Sequence, residues 1–133
     1  MKSFTLILYL LVSSKVFAPG NNFVPVIAPE PINPYLPILN ACIEVESKGN
    51  RFAYNPIEQS TGILQIRPIR LQDYNIRTGS NYKLSDCFDP DVSIKIFMFY
   101  VSKCDYRDIK GMAIAWNGKS KENKYYSKVK KLL

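Results

Sequence analysis

The sequence predicts a mainly α single domain, and three observations carry that prediction. Apolar residues recur at helical spacing from Pro37 onward, prolines stand where those helices would begin, and the only strand candidate is residues 62–66. With 133 residues and 47% of them apolar, the chain can build one compact core and is too short for two of ordinary size.

The elements follow in order. MKSFTLILYLLVSSKVFAPG sets Lys2 before an apolar run from Phe4 to Val12 and then small residues, the order of a secretory signal, assigned to residues 1–18. The run is shorter than the roughly 20 apolar residues needed to span a bilayer. Export to the periplasm or cell envelope is therefore expected. Six of the nine prolines fall between Pro19 and Pro37, a density that prevents helix and holds the backbone extended. Residues 19–33 read as a linker, and residues 34–133 as the domain.

A first helix starts at Pro37, where proline loses no hydrogen bond. On a wheel of about 100° per residue with Ile38 at zero, Leu39, Cys42, Ile43 and Val45 fall between about −20° and about 140°. Glu46 lands at about 80°, in the middle of this apolar face, and Glu44 at about 240°, toward water. A carboxylate on the apolar face is costly unless it is paired or protonated. A short helix restarts at Pro68 and ends near Thr78-Gly79. The next has Asp89 as its cap and Pro90 in its first turn, with Ile94, Phe97, Val101 and Cys104 predicted to be buried. A fourth carries Ile109, Met112, Ala113 and Trp116, and Asn117-Gly118 suits a left-handed cap after it. The last begins at about Lys121, with Tyr125, Val129 and Leu132 on one side and lysines on the other.

Charge and missing residue types narrow the function. The formal net charge is +7 and there is no histidine, which excludes Ser-His-Asp and Cys-His catalysis, haem ligation by histidine and histidine-containing zinc sites. Cys42, Cys87 and Cys104 show no CxxC spacing, so a thiolate metal site or a thioredoxin-type motif is not expected. In an oxidising compartment Cys87 and Cys104 form the short-loop pair; the alternative is three buried, reduced thiols. Carboxylates remain as the acid-base groups. Lys119, Lys121, Lys124, Lys128, Lys130 and Lys131 crowd the C-terminal end around Glu122, either as a solvated helix face or as a surface for a polyanion.

Glu46-Ser47, GILQI at residues 62–66 and AWNG at residues 115–118 appear in that order, and the ordered set resembles the lytic transglycosylases of the lysozyme-like superfamily. The resemblance spans residues 34–133. It implies a lysozyme-like fold of the goose-type lysozyme and soluble lytic transglycosylase kind. It also implies cleavage of the β-1,4 bond between N-acetylmuramic acid and N-acetylglucosamine in peptidoglycan, with Glu46 in the catalytic position. The other matching positions are Ser47, Asn55, Gly62, Gln65 and Asn117, expected to contact substrate or shape the cleft. Trp116 stands where the family has a tyrosine; it can stack on a sugar and donate through its indole nitrogen, but it has no phenolic hydroxyl. Lys119 replaces a second glycine.

A single carboxylate suffices for this chemistry. A glycosidic oxygen leaves only when protonated, and apolar surroundings keep a glutamate protonated near neutral pH. The ionised glutamate then removes the proton of the muramic C6 hydroxyl, which closes on C1 to give a 1,6-anhydro sugar. Hydrolysis of the lysozyme kind would need a second carboxylate, for which Glu58, Asp73 and Asp86 are candidates and Glu58 is the best placed. A non-catalytic peptidoglycan-binding module is the reading from another class. The resemblance requires no metal or other cofactor. Glycan strands are the expected partner, an anionic wall or membrane surface a further one through the lysines, nucleic acid is not expected, and a monomer is.

Overall fold

A computed structural model describes residues 32–119 and 124–133 of the chain. The secretory-signal expectation, the linker up to residue 31 and the start of the last helix at Lys121 lie outside the described residues. Among those described, the architecture is mainly helical, with five α-helices, one 3-10 helix and a two-stranded hairpin. No described helix is long and apolar enough to cross a membrane.

Helix α1 (Leu36–Ser47) carries Pro37 in its first turn and buries Ile38, Leu39, Ala41 and Cys42. It ends because Lys48 adopts a left-handed conformation, with φ 52° and ψ 36°, and returns its N–H to the Glu44 carbonyl. Gly49, also at positive φ, then turns the chain away. Glu46 thus sits on the final turn, at the edge of the core. The chain returns through a hairpin of β1 (Tyr54–Asn55) and β2 (Ser60–Thr61), in which Asn55 pairs with Ser60 and Tyr54 with Thr61.

Residues 62–66 are not the expected strand. Gly62 and Gln65 both have positive φ, and the Gln65 N–H bonds back to the Gly62 carbonyl, so the segment curls into a turn closed by the Thr61–Ile66 bridge. Leu64 and Ile66 plug it into the core.

Helix α2 (Pro68–Thr78) runs from Pro68 to a left-handed Gly79, as the sequence predicts. A 3-10 helix (Leu84–Phe88) leads into α3 (Pro90–Val101), where the Asp89 carboxylate accepts the Asp91 N–H. The buried face of α3 is rotated from the expected one: Ser93, Ile96, Phe97 and Val101 are buried, Ile94 is half-buried, and Cys104 lies beyond the helix end. The cause is the 3-10 helix packed on its first turns, where Ser93 Oγ donates to the buried Cys87 carbonyl at 2.7 Å.

Helix α4 (Ile109–Asn117) is capped by Asp108, which accepts the Gly111 N–H, and it buries Met112, Ala113 and Trp116. Gly118 after it has φ 85° but ψ 174°, so the ending requires glycine without being the left-handed cap expected. Helix α5 (Lys124–Lys130) packs on α4 and α1 through Val129, while Leu132 is 51% exposed rather than buried. The three cysteines are free thiols: Cys42 and Cys87 are buried, Cys104 is half-buried, and no Cys87–Cys104 bond forms.

Candidate active site

The last turn of α1, the hairpin, the curled 62–66 segment and the end of α4 enclose a cleft of about 290 Å³ lined by Glu46, Asn55, Glu58, Ser60, Gln65, Arg67 and Asn117. Four of the sequence-predicted residues, Glu46, Asn55, Gln65 and Asn117, and the candidate second carboxylate Glu58 therefore meet at one place. Glu44 is exposed, so the wheel separates the two glutamates of α1 correctly.

Glu46 is half-buried, and burial raises its carboxyl pKa above the usual carboxylate range. Donors oppose that shift. The Trp116 indole N–H reaches Glu46 Oε1 at 3.3 Å. The Tyr125 hydroxyl is buried against Glu46 and Cys42, yet it completes no hydrogen bond of full geometry. Arg67 attracts the ionised form and Glu58 repels it. Burial outweighs the donors and Arg67, and the net direction is upward. The same enclosure pushes the Tyr125 phenol far above its usual range and the Cys42 thiol up to about 11, so both stay protonated at neutral pH.

Trp116 is not a sugar platform. It is only 5% exposed and packs edge-on against Phe97, with ring centroids 5.0 Å apart, so no sugar can stack on it. Its polar edge alone serves the site.

Ser47 and Gly62 also act differently from the expectation. The Ser47 hydroxyl donates to the Ile63 carbonyl at 2.8 Å, tying the end of α1 to the curled segment instead of lining the cleft. A Cβ on Gly62 would stand 2.0 Å from the Cys87 carbonyl oxygen, so its close approach is to the 3-10 helix and not to substrate. Gln65 does line the cleft, but its amide is committed to the loop. Its Nε2 donates to the Ala53 and Gly62 carbonyls at 3.2 and 3.0 Å, and its Oε1 accepts the Ser60 hydroxyl at 2.8 Å. Asn55 Oδ1 accepts the Ile57 N–H, and its NH2 group has no acceptor among the described residues.

The remaining carboxylate candidates are engaged elsewhere. Asp73 pairs with Arg77 at 2.8 Å and accepts the Tyr100 hydroxyl at 2.6 Å, which holds its carboxyl below the usual range. Asp86 caps the 3-10 helix by accepting the Lys83 N–H. Three site residues, Ser60, Arg67 and Tyr125, escaped the sequence reading, and Ser60 lies on a hairpin strand too short to be detected. Tyr125 was legible only as part of the apolar face of the last helix, and Arg67, the residue before Pro68, carried no signal.

No protein-family model matches the chain, and neither a curated protein nor a solved structure does.

Proposed function

We propose that the chain is a lysozyme-like lytic transglycosylase that cleaves the β-1,4 MurNAc–GlcNAc bond of peptidoglycan and leaves a 1,6-anhydroMurNAc end. The observation that carries this reading is Glu46 itself: a half-buried carboxyl with a raised pKa, at the edge of an open cleft lined by three amides, a hydroxyl, Arg67 and Glu58. A polar cleft of this kind matches the hydroxyl and acetamido groups of a glycan strand.

In the first half-reaction the protonated Glu46 gives its proton to the glycosidic oxygen as the C1–O bond breaks. The carboxylate left behind is the form that the Trp116 N–H stabilises, and the Tyr125 hydroxyl lies beside it with an uncommitted proton. In the second, Glu46 takes the proton of the C6 hydroxyl as that oxygen bonds to C1, which restores the acid. No water enters and no second carboxylate is needed. The enzyme would act outside the cytoplasm, as a monomer, on glycan strands, with the C-terminal lysines facing an anionic wall.

A second reading, hydrolysis with Glu58 as partner carboxylate, is favoured by one observation: Glu58 lines the same cleft and its charge acts on Glu46. Mass spectrometry of digested sacculi separates the two. Anhydromuramic ends support the transglycosylase, and reducing muramic ends support the hydrolase. Binding to sacculi with no muropeptide released, by wild type as by Glu46→Gln, would leave a glycan-binding module.

A further inference from the structure

Beside Trp116 lies a cation that is not among the residues lining the cleft and that the proposed chemistry does not use. The Arg70 guanidinium sits 4.3 Å from the Tyr100 ring centroid and 5.3 Å from that of Trp116, and its Nη2 donates to the Trp116 backbone carbonyl. The base of this arrangement is itself fixed. The Tyr100 hydroxyl donates its one proton to Asp73 at 2.6 Å and lies 3.3 Å from the Arg70 carbonyl, and Asp73 is held in turn by Arg77. The carbonyl that Arg70 grips belongs to the same residue whose indole donates to Glu46.

We propose that Arg70 is a positioning residue: stacked between Tyr100 and Trp116 and bonded to the Trp116 carbonyl, it fixes the indole so that its N–H rests on the Glu46 carboxyl. Several features support a role beyond packing. A lysine could supply the charge but neither the planar face nor the forked donors that stack and grip at once. The last turn of α4 leads directly into Gly118, so the Trp116 carbonyl lies where an α-helix leaves its carbonyls without intrahelical partners. Arg70 supplies that partner. The indole bond, at 3.3 Å, is long enough for a small displacement of the ring to weaken it.

The charged and titratable groups around Glu46 give the direction of the effect. Trp116 donates from α4, the Tyr125 hydroxyl lies against the carboxyl from α5 without a completed hydrogen bond, Arg67 attracts from the start of α2, Glu58 repels from the hairpin loop, and Cys42 is a neutral thiol one turn earlier on α1. Loss of the indole bond removes a contact to the ionised form, so the midpoint of Glu46 must rise.

Site-resolved NMR titration of the Glu46 carboxyl carbon in the whole protein tests this without relying on turnover, so failure of the proposed reaction and failure of this inference remain distinct. Trp116→Phe is expected to raise the midpoint by about one pH unit, the size of one charge-assisted hydrogen bond. Arg70→Lys, which keeps the charge, is expected to raise it in the same direction and to speed exchange of the Trp116 indole proton. Arg70→Lys added to Trp116→Phe should then move the midpoint no further. The proposal is overturned if Arg70→Lys leaves the Glu46 midpoint where it is, or shifts it equally with and without the indole. Should Arg70→Lys not fold, Arg70→Met fills the same space without donors, and the same comparison in the Trp116→Phe background decides.

Discussion

The two walls of the cleft are built on opposite plans. The helical wall presents Glu46 from α1 and Asn117 from α4 to the cleft, with the apolar core and α5 behind them, and the polar atoms buried there converge on Glu46: the Trp116 indole by a hydrogen bond, and the Tyr125 phenol without one. The loop wall, comprising the hairpin and the curled 62–66 segment, is polar at the cleft, and its side chains mostly bond within the wall, to its backbone as well as to one another. Gln65 alone makes three such bonds. The first wall raises the proton affinity of one carboxyl by enclosing it, and the second fixes the polar shape of the cleft. A substitution on the helical wall should therefore alter the pH dependence of the chemistry, and one on the loop wall should alter stability or substrate contact.

The largest effect expected is on the helical wall. Glu46→Gln keeps the shape and removes the proton donor, and should lower glycan cleavage by about 10²–10⁴-fold or more, the span of general acid catalysis. Muropeptide release from sacculi measures it, and undiminished release would remove both the transglycosylase and the hydrolase readings.

On the loop wall the largest effect is structural. Gly62→Ala forces a Cβ against the Cys87 carbonyl at 2.0 Å in a backbone with φ of 81°, so a loss of about 2–4 kcal/mol is expected from strain and overpacking together. Urea denaturation reads it. If the variant proves as stable as wild type, the curled segment is not held as described.

How much of each wall was legible follows from the range of the signals. The position of Glu46 on the apolar side of α1 depends only on helical period, and the wheel finds it. Asp89, Pro90 and Pro68 act within one turn of themselves, and the helices they start appear where expected. The hairpin was missed because two-residue strands carry no alternation to detect, and the glycine of GILQI matched a motif while its physical reason lay with Cys87, some 25 residues further along the chain. The apolar face of the last helix was legible, but not that the hydroxyl of Tyr125 would lie beside Glu46, because that depends on how α5 crosses α1.

A smaller effect tests the helical wall through stability. The Glu46 pKa is raised in the folded protein, so the folded state holds its proton more tightly than the unfolded one. Stability then falls as pH rises from the ordinary glutamate value of 4.5 through the raised folded value. Above the ordinary value, keeping Glu46 enclosed is a growing net cost, and Glu46→Gln should melt higher than wild type at neutral pH, with the difference closing at acid pH. A Tm difference that does not change with pH would mean that the carboxyl is not perturbed by burial.

The smallest effect is the one that decides between the two chemistries. Glu58 is exposed, and its repulsion on the Glu46 carboxylate is screened by water and salt. Glu58→Gln removes that repulsion, so the Glu46 midpoint falls slightly and the alkaline limb of activity moves to lower pH, because Glu46 must hold its proton to act as the acid. If Glu46 works alone, nothing else changes, and cleavage at the pH optimum stays within about threefold of wild type, as expected for a surface charge some distance from the reacting atoms. If Glu58 is a partner carboxylate, the same substitution removes a reacting group, and cleavage falls by orders of magnitude. A pH–rate profile of the one variant thus shows whether the loop wall contributes chemistry or only shape.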